Sequence, residues 1–491
     1  MSASAPPSTS DNKWLALALL AMAQFVIVLD ASIVNVALPS IGKDLDFSQD
    51  DLSWVVNAYT LIFGGFLLLG GRLADLLGRR RMFIAGMCLF TLASLAGGFA
   101  QSEIWLIIAR GVQGLGAAIV SPAALSIVTT TFKEGAERNT ALGVWGAVAG
   151  SGGAAGVLLG GMLTEWAGWE WVLFVNVPIG LAAALIAPRL LAESRDETSS
   201  RHFDVAGALT VTAGLAIGVY ALVDANNAGW TSTQTLVLGA ISLALLAVFT
   251  LVESRSRQPL VPFSIFRLRS LRGSNIVGLL IGMSLFAMFF FISLYLQQVM
   301  GYSALKTGLA YLPLALFIII SAGGASQLVT RVGFKPTLVV GLLFVAAGLY
   351  WFSHVSDPGG TYLGDVLFPS LLAAIGLGLA FVPVTIGAVT GTTPDEAGLA
   401  SGLINTSQQV GGALGLAILS AIATSRTETV AADGATGTAA LTEGFQTAFL
   451  VGTGFALAGA LLAAVLISSR DSRQQVEAAR RGEPVPSPVA I

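Results

Sequence analysis

Two side chains of opposite charge lie far inside apolar segments of this 491-residue sequence, where they could act together on a proton. Asp30 falls within the apolar stretch of residues 14–39, and Arg110 falls within a later one. A hydrocarbon core of about 30 Å needs roughly 20 helical residues, and an ionised group there costs on the order of 3 kcal/mol unless water or a partner receives it. Asp30 therefore predicts a proton or cation pathway. The alternative is a structural acid satisfied by neighbours such as Ser32 and Asn35.

Helix geometry places the two charges at a similar depth. Asp30 lies nine residues from the outer end of its segment, and Arg110 lies about seven residues from the outer end of its own, so the depths are roughly 14 and 10 Å. Gln113 shares the helix face of Arg110. We expect Asp30 and Arg110 to be a working pair in proton and substrate coupling, with Asn35 and Gln113 lining the cavity. The alternative is a salt bridge that only fixes packing.

The composition places these residues in a membrane protein. The chain is 55% hydrophobic and 11% charged, against about 25% charged in soluble proteins. The net charge of −3 says nothing about nucleic acid, but the sequence has no basic block of the kind that such binding needs, so no nucleic-acid partner is expected. Two histidines and one cysteine, with no metal-ligand spacing, phosphate loop or nucleophile elbow, predict no enzyme activity, metal or cofactor.

The apolar segments predict an all-α membrane protein of fourteen transmembrane helices. Of the 25 lysines and arginines, 21 fall in loops on the side of the N-terminus and three on the other side, so both termini are expected to be cytoplasmic. The expected organisation is a cytoplasmic tail at 1–13, a six-helix bundle at 14–190, an inserted helix pair at 204–253, a second six-helix bundle at 273–468, and a disordered cytoplasmic tail at 469–491.

An internal repeat supports two bundles around a central cavity. The glycine pattern of the fifth helix returns 259 residues later in the thirteenth, GGAAG against GGALG. Small residues let membrane helices approach closely, and we therefore expect a packing role for these glycines. They are Gly152, Gly153, Gly156, Gly160, Gly411, Gly412 and Gly415.

Two further polar groups are candidates for function. The loop GRLADLLGRRR, between helices two and three, has an acid among arginines, which predicts either a conformational latch or a simple topological anchor. Its candidate gating residues are Gly71, Arg72, Asp75, Gly78 and Arg79. Three amides at helical spacing in the thirteenth helix would be unpaired in lipid, so we expect them to face the cavity. They are Asn405, Gln408 and Gln409.

These motifs, together with LDASIVNVALP, ARGVQGLGAA and WEWVLFVNVPIG, resemble the fourteen-helix drug:proton antiporters of the major facilitator superfamily. The resemblance implies a bacterial cytoplasmic-membrane protein that works as a monomer and exports amphipathic compounds by alternating access. It needs no cofactor, because the proton gradient drives it. Asp30 takes the acid position, Arg110 the proton-linked position and Asp75 the gating position. One departure is Val157, which stands where the family signature of helix five has proline.

A proton and a cationic substrate that exclude each other at Asp30 would couple the two fluxes. The rival functions are a lipid translocator of the same fold and, in another class, a membrane sensor or scaffold that binds ligand without transporting it. The sequence does not identify the substrate.

Overall fold

The computed structural model describes residues 10–48, 51–132, 136–194, 205–256, 261–357, 360–392, 397–435 and 437–481, and the regular secondary structure in these ranges is helical. The helices are α1 (Ser10–Asp44), α2 (Trp54–Leu77), α3 (Arg79–Gly98), α4 (Glu103–Thr131), α5 (Ala136–Trp166), α6 (Trp171–Phe174), α7 (Asn176–Leu190), α8 (Val205–Ala228), α9 (Thr233–Arg255), α10 (Arg269–Leu294), α11 (Ala304–Val332), α12 (Phe334–Phe352), α13 (Phe368–Val389), α14 (Ala397–Ala432), α15 (Gly437–Leu466) and α16 (Ser469–Arg481). Single π-helical turns follow α10 and precede α13.

Eleven of the helices in the described ranges are long and apolar enough to cross a membrane, so the chain is an all-α membrane protein. The prediction of fourteen spans also counts α2, α5 and α8. Of these, α8 contains a shorter apolar segment, Ala206–Gly218. The number fourteen therefore stays a prediction.

Two predicted boundaries differ from the structure. The tail beyond residue 468 was expected to be disordered, but its described part forms α16, because Asp471 accepts a hydrogen bond from Ser270 and Ser472 accepts one from the backbone of Lys335. At the other end, α1 begins at Ser10, inside the expected tail. Residues 1–9 and 482–491 lie outside the described residues.

The repeat seen in the sequence corresponds to a repeated helix contact. In the first bundle α5 crosses α1, and in the second α14 crosses α10. A Cβ atom on Gly156 would lie 2.7 Å from the carbonyl oxygen of Leu29, and one on Gly415 would be in contact with the backbone of Met283. Only a residue without a side chain permits this approach.

The two bundles share a hydrophobic core at the end of the molecule where α1 finishes, which we call the joined end. There Val36 of α1 and Phe290 of α10 belong to one buried cluster. Toward the opposite end, where α1 begins, each bundle has its own core, one containing Leu20 and the other Val277. We call this the terminal end. The bundles therefore meet at one end and separate toward the other.

The inserted helices α8 and α9 pack against each other, and α8 also contacts both bundles. The hydroxyl of Thr212 donates a 2.9 Å hydrogen bond to the carbonyl oxygen of Gly65, and the rings of Tyr220 and Trp54 lie 5.6 Å apart. On the second bundle α8 contacts α14. The insertion thus covers the seam between α2 and α14, whereas the other seam lies between α5 and α11.

Candidate functional site

Asp30 and Arg110 form a buried ion pair inside the first bundle. A guanidinium nitrogen of Arg110 lies 2.6 Å from Oδ2 of Asp30, and the two side chains are 1% and 0% exposed. The two helices that carry them, α1 and α4, contact each other. The pair thus connects residues that lie 80 positions apart in the chain. A buried pair of this kind requires further hydrogen bonds, because both charges have lost their water.

Two neutral side chains supply those hydrogen bonds, and a third holds both of them in place. Gln113 donates to Oδ1 of Asp30 at 2.6 Å, and its own oxygen accepts from Arg110 at 2.7 Å. Asn176 of α7 donates to the same Oδ1 at 2.7 Å. Ser94 of α3 accepts from both amides and donates to the carbonyl oxygen of Leu173. Helices α4 and α7 therefore bond the carboxylate directly, and α3 holds their amides through Ser94.

Arg110 is held from its other side by α2. Its Nε donates to the carbonyl oxygen of Val55 at 3.0 Å, and its guanidinium lies 4.4 Å from the ring centre of Tyr59. Tyr59 in turn donates to the carbonyl oxygen of Ile27 at 3.3 Å. A cation over an aromatic face is stabilised most where water is excluded. These contacts fix the guanidinium in the plane that it needs to reach Asp30.

This arrangement suits the ionised form of Asp30, which accepts from one cation and two amides. Adding a proton would cancel the charge that Arg110 neutralises, and the pair would lose most of its attraction. Protonation at Asp30 is therefore able to change the contacts among α1, α2, α4 and α7 together. In this conformation the carboxylate is 0% exposed, so it cannot be reached from the space between the bundles.

Three members of this cluster were not identified from the sequence: Ser94, Tyr59 and Asn176. Asn176 stands inside the WEWVLFVNVPIG motif, where a lone amide in an apolar span was an available signal. The predicted single helix is interrupted at Val175, between α6 and α7, and Asn176 is the first residue of α7. No comparable signal singled out Ser94 and Tyr59, because Ser and Tyr are ordinary residues in membrane helices.

The amides predicted to line the cavity occupy different surroundings. Gln113 lies in the buried cluster and not on the cavity wall, because its amide bonds to Asp30 and Ser94. Asn35 is 8% exposed and donates to carbonyl oxygens of its own helix.

In the described part of α14 the three amides point in different directions. Asn405 is exposed, and Gln408 lies next to Gly278 of α10. Gln409 lies against Gly64 of α2, at the contact between the two bundles. The three amides therefore do not share the predicted common face. Gln408 packs within the second bundle, Gln409 lies at the contact between the bundles, and Asn405 is exposed. Successive residues of a helix differ by about 100° in direction, so Gln408 and Gln409 need not share surroundings.

The segment GRLADLLGRRR was predicted to be a loop, but its backbone is helical apart from Gly78, because α2 continues to Leu77 and α3 begins at Arg79. Gly71 faces Pro122 of α4, and Gly78 has φ of +108°, a conformation that favours glycine. The backbone of Arg79 donates to the carbonyl oxygen of Ser194 at 2.9 Å. The side chains of Arg72 and Asp75 lie outside the described residues, and the gating role of Asp75 stays a prediction.

Glu193, which follows α7, holds the start of α3. It accepts from the backbone of Arg80 at 3.2 Å and lies 3.6 Å from the guanidinium groups of Arg80 and Arg81. A carboxylate at a helix N-terminus satisfies backbone donors and the helix dipole together. Glu193 was not predicted from the sequence.

The glycines of α5 and α14 lie mainly at close helix contacts. Those of α5 face α1 at positions 152, 156 and 160, and those of α14 face α10 at positions 411, 412 and 415. Gly153 differs, because a Cβ atom there would have no heavy atom within 4 Å. It borders a small apolar cavity between the bundles, lined by Gly153, Val157, Phe289, Tyr311, Leu314, Ala315 and Ile318.

Comparisons with known proteins agree with this architecture. The model of the Major Facilitator Superfamily matches residues 20–416. The puromycin resistance protein pur8 of Streptomyces alboniger is 40% identical over 457 residues, which cover 93% of this chain and 90% of that protein. The cephamycin export protein CmcT of Amycolatopsis lactamdurans is 42% identical over 415 residues, or 84% and 85% of the two chains.

A solved structure has the same fold. It is a bacterial homologue of the human lysosomal transporter Spinster in an inward-facing and unoccupied conformation. The TM-score is 0.67, with 95% of this chain and 99% of that chain covered, at 16% identity.

Proposed function

This chain belongs to the Major Facilitator Superfamily, and we propose that it is a proton-coupled exporter of lipophilic drugs or of a secreted metabolite that works by alternating access. The observation that carries the proposal is the buried pair of Asp30 and Arg110, whose charge balance one proton would change. Two relatives are named for puromycin resistance and for cephamycin export, so amphipathic antibiotics are among the compounds to test first. The chain is a transporter and not an enzyme.

The proposed setting is the bacterial cytoplasmic membrane, crossed fourteen times with both termini inside. In that orientation the terminal end faces the cytoplasm. The described conformation then corresponds to an inward-facing state, because the bundles share a core only at the joined end. One chain contains both bundles and the ion pair, so the proposal requires only a monomer.

The proposed coupling is indirect in this state, since Asp30 is fully buried. A proton that reaches Asp30 from outside weakens its attraction to Arg110 and changes how α1 and α4 pack. Each proton that enters supplies roughly 2.3 kcal/mol per 100 mV and about 1.4 kcal/mol per pH unit. Export of a cationic compound against a gradient would draw on that energy.

The test is a substrate panel on inverted membrane vesicles that contain the full-length protein. An acid-interior dye reports proton release as puromycin, a β-lactam, a lipophilic dye or a phospholipid analogue is added. We expect dequenching with at least one amphipathic drug, and none with the Asp30→Asn variant. A response to the phospholipid analogue alone would identify a lipid translocator. Binding of a drug without any flux would identify a sensor.

A further inference from the structure

Asn176 carries an acceptor that the ionised cluster does not use. Its Nδ2 donates to Asp30 at 2.7 Å and to Ser94 at 3.0 Å, while its Oδ1 is buried without a hydrogen-bond partner among the described residues. The whole side chain is 0% exposed. An unpaired carbonyl oxygen in such a place costs on the order of 1–3 kcal/mol, so its position calls for a reason.

A protonated Asp30 would need an acceptor nearby. At Gln113 the new O–H would meet a donor, because Nε2 faces Oδ1 of Asp30 at 2.6 Å while Oε1 is turned to Arg110, from which it accepts at 2.7 Å. The hydroxyl of Ser94 lies beyond the two amides and is committed to the carbonyl oxygen of Leu173. Around Asp30 the remaining titratable groups of the described residues are Arg110 of α4, a donor only, and Tyr59 of α2, which bonds to Ile27.

We propose that Asn176 is the positioning residue that lets Asp30 hold or release a proton while buried. Its amide donates to the ionised acid, and after half a turn about Cβ–Cγ its oxygen accepts from the protonated acid. The inference rests on the proposed function, because proton exchange at Asp30 belongs to that proposal.

The turn requires little space. The oxygen and nitrogen ends of an amide are nearly the same size, so exchanging them leaves the packing of the cluster unchanged. One end of the amide stays unpaired in either orientation. The turn gives up the two hydrogen bonds that Nδ2 donates, to Asp30 at 2.7 Å and to Ser94 at 3.0 Å, and gains the one that Oδ1 accepts from the added proton.

The test is infrared difference spectroscopy, acid minus alkaline, on the full-length protein in lipid vesicles. Wild type should show a carboxylic acid band that Asp30→Asn lacks. It should also show an amide carbonyl band that moves with ¹⁵N-labelled asparagine and disappears in Asn176→Leu. Both bands should titrate with one midpoint. In Asn176→Leu the acid band should titrate about one unit higher in pH, a tenfold change in proton affinity, because the ionised acid loses the stronger hydrogen bond.

Two further variants separate this role from simple packing. Asn176→Ser keeps a short group that both donates and accepts, and its midpoint should lie between wild type and Asn176→Leu. Thr91→Val is the matched control, since Thr91 packs against Gly180 in the same contact of α3 with α7 and its hydroxyl has no partner in the described residues. Its midpoint should equal that of wild type.

The two possible failures are distinct. If wild type has no titrating acid band that Asp30→Asn removes, proton exchange at Asp30 is absent and both the coupling proposal and this inference fall. If that band titrates normally but the asparagine band ignores pH and Asn176→Leu keeps the wild-type midpoint, this inference alone is overturned.

Discussion

Arg110 reaches across from α4 to place a guanidinium nitrogen 2.6 Å from the carboxylate of Asp30 on α1, and neither side chain has more than 1% of its surface exposed. Removing one partner of a buried pair leaves the other charge uncompensated, which typically costs about 3–5 kcal/mol. The protein can avoid that cost only by changing protonation or by admitting water. Variants of this pair therefore test the coupling proposal directly.

We expect Asp30→Asn to lose proton-coupled efflux of cationic substrates while some binding of neutral ones remains, because the variant keeps the shape but cannot titrate. Arg110→Ala should also uncouple transport. Arg110→Lys should recover only part of the rate, since an ammonium lacks the planar fork that bonds Asp30, Gln113 and Val55 together. The measurement is efflux against pH in energised vesicles.

Arg426 provides a control for loss of an arginine. It pairs with Glu443 near the surface, where both side chains are more than 40% exposed, and such pairs contribute about 0–1 kcal/mol. Arg426→Ala should therefore transport as wild type does.

If Asp30→Asn pumped a cationic dye at the wild-type rate at every pH, another group would carry the proton.

The sequence predicted the charged pair but not its surroundings. Apolar length and helix rise were enough to place Asp30 and Arg110 at one depth, because both quantities depend on position along a single helix. Neither gives the rotation of a helix about its axis, which depends on packing against neighbours. That is why Gln113 was predicted on a cavity wall and lies in the buried cluster, and why Asn176 was missed.

The repeated glycines were more informative, because a residue without a side chain restricts which surfaces can touch. The spacing shared by α5 and α14 corresponds to their contacts with α1 and α10. By contrast, no local pattern indicated that α8 would contact both bundles. That contact depends on surfaces brought together from distant parts of the chain, such as Thr212 and Gly65.

Gly156 and Gly153 form a matched pair of sites on α5. A Cβ atom on Gly156 would lie 2.7 Å from the carbonyl oxygen of Leu29, next to Asp30, whereas one on Gly153 would meet no heavy atom within 4 Å. Gly156→Ala should lower the free energy of unfolding by about 1–3 kcal/mol and reduce coupling, because α1 must move away. Gly153→Ala should be neutral or slightly stabilising, by up to about 1 kcal/mol. Thermal unfolding in detergent distinguishes them, and equal effects would contradict the close contact.

Glu193 should matter for the rate of transport more than for stability. Its ion pairs with Arg80 and Arg81 are partly exposed, so each contributes under about 1 kcal/mol, but Glu193 also accepts from the backbone at the start of α3. Glu193→Ala should slow turnover several-fold with a small change in melting temperature. Glu193→Gln keeps an acceptor and should retain most of the rate. Identical turnover in all three proteins would reduce this contact to surface packing.

The inserted pair gives the sharpest test of topology. With the termini inside, the turn between α8 and α9 should face outside and the end of α9 should face the cytoplasm. In a Cys88→Ser background, a membrane-impermeant maleimide should label Thr231→Cys in intact cells. It should label Ser256→Cys only after the cells are opened. Labelling of both sites in intact cells would exclude the inserted pair as two spans, and the count of fourteen with it.

The seam between α2 and α14 contains buried polar atoms that the described conformation leaves unpaired. Asn57 is 0% exposed with neither amide atom bonded, and the hydroxyl of Ser420 is also without a partner in the described residues. Asn57 lies between Trp54 and Leu61 on the helix face whose Leu61 packs against Ala413 of α14. Each unpaired atom costs about 1–3 kcal/mol here and would regain water if the joined end opened. These atoms therefore favour opening.

Asn57→Leu replaces the amide with an apolar group of similar volume, so we expect it to stabilise the described conformation by about 1–3 kcal/mol. In alternating access that shift should slow efflux roughly tenfold or more while leaving drug binding from the cytoplasmic side intact, because the change lies in the balance between states. Thr60→Val is the control on the same helix, since its buried hydroxyl already donates to the carbonyl oxygen of Val56. Thr60→Val should neither stabilise the described conformation nor slow efflux. The measurements are melting temperature and efflux rate, and a lower melting temperature or faster efflux in Asn57→Leu would show that Asn57 stabilises the closed seam instead.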